Sequence, residues 1–228
     1  MTIVTIVIVY YLITWFFGDS SRTSLLQLHN ATVPQTISET NFPTTASHKY
    51  TFSICFFVDD WNHSFGKYKT IFARSDKNDN ACPRVQFTPY ENNIKVTLAT
   101  YKKGAAEEAS KEEEVTVENV PLQRWTNLII TVNDRMVDLY IDGKLVKTKL
   151  LTNIPLSTTS AVLLTPDGGF AGSTANFLYF NRTLNPREAY ELYKEGCGGG
   201  SWFSDLFNRY RVKLAFLKDN VEVNTFVL

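Results

Sequence analysis

Residues 124–148 read RWTNLIITVNDRMVDLYIDGKLVKT, and this stretch decides the fold class. A run opened by Trp125 carries apolar residues to Val132, the polar pair Asn133-Asp134 interrupts it, and residues 136–141 form a second run. Asp142-Gly143 then joins VDLYI to KLVKTKL, and an Asp-Gly pair between two such runs is a tight hairpin turn. Short runs joined by tight turns argue an all-β fold.

The same reading extends outward. Upstream, YTFSICFFV (50–58) alternates in its first half and then turns wholly apolar, and 70–73 and 84–88 are short runs. NIKVTLATY (93–101) alternates, with Ile94, Val96 and Leu98 on one face and Lys95 and Thr97 on the other; residues 115–120 follow. Downstream, 161–164 and 176–180 complete the set. The run KGAAEEASKEEE (103–114) reads as a solvated loop or one exposed helical turn between strands, because crowded carboxylates stay hydrated and repel one another. A helix is predicted over 186–194, with Asn185 as N-cap, Pro186 at its first position and Gly196 past its end. Many short strands with frequent turns predict an all-β sandwich over residues 48–196.

Two stretches carry a family resemblance. Residues 124–148, with a Trp opening a strand, a hairpin and then YIDG, resemble the laminin-G-like, concanavalin A-like lectin/glucanase superfamily. Residues 168–196, GGFAGSTANFLYFNRTLNPREAYELYKEG, resemble its closing motif of a glycine-bounded strand, a YFNRTL segment and a short helix. The resemblance implies an antiparallel two-sheet jelly-roll sandwich. Trp125 is expected to plug the core under one sheet, Gly143 to supply the positive φ of the turn, and Gly172 to let the chain enter the last strand closely packed. The fold hosts unrelated functions, so function must be argued from sites.

The chain has 23 basic and 23 acidic residues, so no basic excess points to nucleic acid. Its three cysteines lack metal-ligand spacing. Cys55 lies in an apolar run and reads as a buried thiol. Cys82 and Cys197 sit beside loop residues and are the candidate pair for a disulfide in an oxidising compartment, although an odd count weakens a disulfide framework.

Outside the sandwich, IVTIVIVYYLITWFF (3–17) carries no charge. As a helix, residues 1–17 would be about 25 Å long, at the short end of what spans a bilayer. With no basic start and no small-residue cleavage site, an uncleaved N-terminal transmembrane anchor is expected; a signal peptide or a buried strand are the alternatives. Residues 18–47, rich in Ser, Thr and Asn, read as a polar linker in which Leu25, Leu26 and Leu28 form a short strand or pack on the sandwich. Residues 197–228 read as a C-terminal extension. Trp202, Phe203, Leu206 and Phe207 fall on one helical face, and RVKLAFL and VEVNTFVL form a hairpin in which Val212, Leu214 and Phe216 share a face. An isolated hairpin is marginal in water, so this extension is expected to dock, by strand addition or otherwise, on a partner or on the sandwich.

Catalysis is not expected. Sandwich glycosidases need an acid pair on one strand face, resembling E-x-D-x-x-E, and no such pattern occurs. His29, His48 and His63 sit in no catalytic motif. No cofactor is implied. The acids that relatives carry after the glycine-rich loop are replaced here by Ser173-Thr174-Ala175-Asn176, so no metal site is assigned there, and Asp76-Lys77-Asn78-Asp79-Asn80 reads as a turn. Sugar binding needs exposed aromatics beside polar side chains, and Trp61, Tyr68 and Tyr90 lie in or near loops. Asn30, Asn62 and Asn181 open N-x-S/T sequons that can carry glycans in a secretory lumen.

Two functions stand. A laminin-G-like domain on a lone N-terminal membrane segment looks like proteins of large double-stranded DNA viruses. This implies a non-catalytic minor capsid or virion membrane protein, anchored through residues 1–17 and linking an internal membrane to other structural proteins of a shell through the extension. The alternative is a membrane-displayed, lectin-like adhesion module that binds glycan at a sandwich rim.

Overall fold

A computed structural model describes residues 21–45, 47–102 and 109–197, with backbone alone at 109–110, 213–218 and 221–227. The strands are β1 (Arg22–Asn30), β2 (Gln35–Ile37), β3 (Lys49–Asp60), β4 (Lys69–Ser75), β5 (Ala81–Phe87), β6 (Ile94–Tyr101), β7 (Ala109–Val117), β8 (Thr126–Asn133), β9 (Met136–Ile141), β10 (Lys144–Leu150), β11 (Val162–Leu164) and β12 (Ala171–Phe180), followed by helix α1 (Pro186–Lys194) and the pair β13 (Lys213–Lys218) and β14 (Val221–Val227). One antiparallel sheet has the order β1-β12-β3-β8-β9-β10 and the facing one β2-β11-β4-β5-β6-β7. These two sheets make an all-β sandwich whose topology is consistent with a jelly roll.

Alternation builds the core. Phe52, Ile54, Phe56 and Val58 of β3 point inward and meet Phe72, Phe87, Phe170 and Phe177, all buried. The other face of β3 is also covered, which is why YTFSICFFV loses its alternation: α1 lies over that side, where Ile129, Tyr140, Leu178, Phe180, Leu184, Ala189 and Leu192 form a second cluster. Both halves of a capping box, Asn185 with Glu188, start the helix. At the β9–β10 turn Asp142 (φ 49) and Gly143 (φ 71) are both left-handed, as a primed hairpin requires. A Cβ on Gly143 would come within 2.9 Å of Tyr190 Cα, so this turn packs directly on α1.

Four expectations are corrected. Trp125 does not plug the core: it is 39% exposed and packs on Phe57, ring centroids 5.7 Å apart. Parity explains this, since Leu128, Ile130 and Val132 face inward and odd-numbered positions of that strand face outward. The polar segment 18–47 is not only a linker, because β1 pairs with β12 and β2 with β11 as edge strands, with Leu25 and Leu26 packed against the core. Glu112, Glu113 and Glu114 belong to edge strand β7, where Arg84, Lys149 and Lys95 respectively neutralise them. The disulfide joins Cys55, not Cys82, to Cys197. Cys55 is on the outward face of β3 opposite Ala175, and Asn176 Nδ2 donates to the Gly196 carbonyl at 3.2 Å, bringing the end of the helical segment to it. Cys82 is buried and free, its thiol donating to the Asn80 carbonyl.

Residues 1–17 lie outside the described residues; among those described, no helix is long and apolar enough to cross a membrane.

Candidate functional site: an aromatic groove at one end of the sandwich

Three connections meet at one end of the sandwich: 61–68 after β3, 88–93 between β5 and β6, and 118–125 between β7 and β8. Hairpin geometry forces two of them together. Antiparallel pairing of Ile94 with Val117 sets the turn before β6 beside the loop after β7. The groove between them measures ≈ 740 Å³ and is lined by Trp61, Tyr90, Glu91, Asn92, Asn93, Glu118, Asn119 and Leu122. That volume lies in the upper half of the roughly 300–1,000 Å³ range of ligand sites.

Its walls are tied by hydrogen bonds. Val120 N–H donates to the Asn92 carbonyl and Asn92 Nδ2 to the Val120 carbonyl, both at 2.8 Å. Asn119 N–H donates to Asn93 Oδ1 at 2.9 Å, and Asn93 Nδ2 donates to Glu91 Oε2 at 2.6 Å. Gly66 N–H reaches the Pro89 carbonyl at 3.1 Å and draws the first loop against the second. Asn92 and Asn93 thus brace the walls. The Tyr90 ring, the carboxylates of Glu91 and Glu118, and the Asn119 side chain line the groove on exposed residues.

The aromatics are held as platforms. Trp61 stands edge-on to buried Phe87, centroids 5.6 Å apart, and Tyr90 edge-on to Phe65 at 5.7 Å. Under the indole, 4.2 Å from its centroid, lies the Lys69 ammonium, buried and without a hydrogen-bond partner among the described residues. Burial there pushes the lysine pKa down.

Of the aromatics read from the sequence, the structure brings Trp61 and Tyr90 together and leaves Tyr68 outside the groove, stacked over Lys95 at 4.4 Å. Sequence reasoning missed Glu91, Asn92, Asn93, Glu118, Asn119 and Leu122; the available signal was the Asn-bearing turns that precede the 93–101 run and close the 115–120 run. Asn30, Asn62 and Asn181 are all exposed. The docking residues Trp202, Phe203, Leu206, Phe207 and Val212 lie outside the described residues, and Leu214 and Phe216 are described only as backbone of β13. The Asp76 turn is closed on itself: its carboxylate accepts from Asn78 N–H, Asn80 N–H and Asn80 Nδ2 at 2.8–2.9 Å. Burial raises the Asp76 pKa, but these hydrogen bonds outweigh it and hold it below the usual value. Among the described residues no group of three or more His, Cys, Asp and Glu could hold a metal.

The chain is an antiparallel two-sheet sandwich with an open groove at one end. Residues 32–189 match the laminin G family model described as the concanavalin A-like lectin/glucanases superfamily, and the chain belongs to that family. No curated protein matches the sequence significantly. Among solved structures, the receptor binding domain of botulinum neurotoxin D is similar over 78% of this chain and 46% of its own, at 13% identity and a TM-score of 0.58. The botulinum neurotoxin serotype G binding domain is similar over 76% of this chain and 50% of its own, at 19% identity and a TM-score of 0.55. The serotype D ligand binding domain in complex with N-acetylneuraminic acid is similar over 78% of this chain and 45% of its own, at 13% identity and a TM-score of 0.57. The chain therefore spans half or less of the length of these structures, and the likeness is one of fold.

Proposed function

We propose that this chain is a non-catalytic carbohydrate-binding module whose ligand lies in the Trp61–Tyr90 groove. The observation that carries the reading is the convergence of two braced aromatic rings with carboxamide and carboxylate groups on one open groove. Sugar rings present apolar C–H faces that pack on aromatic rings, and hydroxyls that need a few placed polar partners. Family membership and a structural neighbour solved with N-acetylneuraminic acid support it. Glu91 and Glu118 share the groove, but both are exposed on connecting turns rather than paired on a strand face as sugar-bond hydrolysis requires.

The test is a glycan array probed with the full chain and with Tyr90→Ala. Tyr90 is 69% exposed, so its loss spares the core. The reading predicts selective binding by the wild type, weakened by about fivefold or more in the variant and without release of new reducing ends, since one stacked ring is worth about 1 kcal/mol or more. Equal array profiles for the two proteins would contradict it.

The Cys55–Cys197 disulfide and three exposed sequons fit an oxidising, glycosylating compartment, so we assign the domain to display from a membrane through residues 1–17. A shell-bridging role would use the same anchor with the extension as its contact. Deleting residues 201–228 separates the two: glycan binding survives under the reading proposed here, whereas bridging predicts lost incorporation into particles.

A further inference from the structure

The groove's lining holds two carboxylates, Glu91 and Glu118, and no Lys or Arg. Three cations of the surrounding strands and loops are already engaged. Lys69 lies buried beneath the indole of Trp61. Lys95 is paired with Glu114 at 3.0 Å and covered by Tyr68, and Arg124 is paired with Asp142. Lys147 lines a smaller adjoining groove, which shares Glu118 and Asn119 with this one. A sugar seated on Trp61 and Tyr90 thus meets two carboxylates and no Lys or Arg among the residues lining the groove.

We propose that the groove selects its glycans by charge: it takes oligosaccharides that are neutral or carry a free amine, and turns away those that are sialylated, sulfated or built from uronic acids. The inference rests on the glycan-binding reading above and deepens it. An ammonium on the sugar would pair with Glu91 or Glu118 and lie against an aromatic ring, two interactions that reinforce one another. An anionic sugar would bring like charge to both carboxylates, and two such repulsions across a partly hydrated groove reduce affinity by about tenfold. The neighbour solved with a sialic acid shares the fold at 13% identity, which does not carry its ligand preference to these side chains.

The experiment uses an array printed with neutral, free-amine, sialylated, sulfated and uronic-acid oligosaccharides over several linkages. It is probed with the full chain, with Tyr90→Ala and with the double variant Glu91→Gln/Glu118→Gln. Gln at position 91 keeps an acceptor for Asn93. Bound spots are expected among neutral and amine-bearing glycans. The acidic derivative of any bound core should fall about tenfold, a gap that narrows as salt is added and closes in the double variant. Acidic glycans among the strongest spots, or a gap unchanged in the double variant, would overturn charge selection while leaving Tyr90-dependent binding in place. An array without Tyr90-dependent spots would remove the glycan reading and this inference with it.

Discussion

Lys69 shows how much of the groove is decided at the scale of single residues. Its ammonium is buried and has no hydrogen-bond partner among the described residues, and it lies against the indole of Trp61. A cation on an aromatic face recovers about 0.5–2 kcal/mol, less than an unpaired buried charge costs. Lys69→Met should therefore stabilise the fold, by about 1 kcal/mol at pH 7 in urea unfolding. Because the folded-state pKa is lowered from 10.5, the wild-type penalty is present below that depressed pKa and shrinks as pH climbs toward 10.5. The advantage of the Met variant should shrink in parallel. A destabilised Lys69→Met would mean that the ammonium is doing something favourable in the folded protein. Trp61 and Tyr90 were legible as candidates because exposed aromatics in polar loops are unusual. Tyr68 looked the same in sequence, and only the third dimension turns it away, onto Lys95.

Among elements, the last strand of the sandwich is the most constrained. Gly172 enters β12 at φ 153, and a Cβ there would sit 2.0 Å from the Phe57 carbonyl oxygen of β3. Gly172→Ala should cost about 3 kcal/mol, since backbone rather than a flexible side chain must yield. Gly168 is also left-handed but has nothing within 4 Å of a built Cβ, so Gly168→Ala should cost only about 1 kcal/mol. Equal losses in chemical denaturation would refute the close approach. Most strands were legible because they alternate or carry a clear turn, as at Asp142-Gly143. The edge strand β2 was not, and β1 was legible only as a short strand around Leu25, Leu26 and Leu28, since an edge strand needs few apolar residues: Leu28 is 70% exposed within β1. The strand character of Glu112, Glu113 and Glu114 was hidden for a related reason: the charge that suggests a loop is also what protects an edge from pairing with another chain.

At the scale of the whole molecule, the disulfide ties the end of the helical segment to the middle of the first sheet. It joins residues 142 apart, and closing so long a loop removes on the order of 4–5 kcal/mol of unfolded-state entropy. The thiols should report this arrangement directly. Burial first, then the Asp76 carboxylate, pushes the Cys82 thiol up to about 12, so the native protein should react with no thiol reagent at pH 8. Denaturation should release one thiol, and denaturation with reduction three. A native protein that reacts at once, or a peptide map joining Cys82 to Cys197, would contradict it. Sequence alone misassigned this bond because Cys55 sits in an apolar run; that the outward face of β3 lies under a helix becomes visible only once the strands are paired.

The rim groove also belongs to the whole molecule, since the β6–β7 hairpin joins two of its loops and the sandwich adds the loop after β3. Its occupancy can be read residue by residue. Titrating the isotope-labelled full chain with a glycan selected on the array should shift the Trp61 indole N–H and the backbone amides of Tyr90, Glu91 and Asn119 in a saturable manner, and leave Trp125 on the outer face unmoved. Saturable shifts centred on Trp125 and Phe57, with the Trp61 indole silent, would show that the sugar binds elsewhere and would contradict the account.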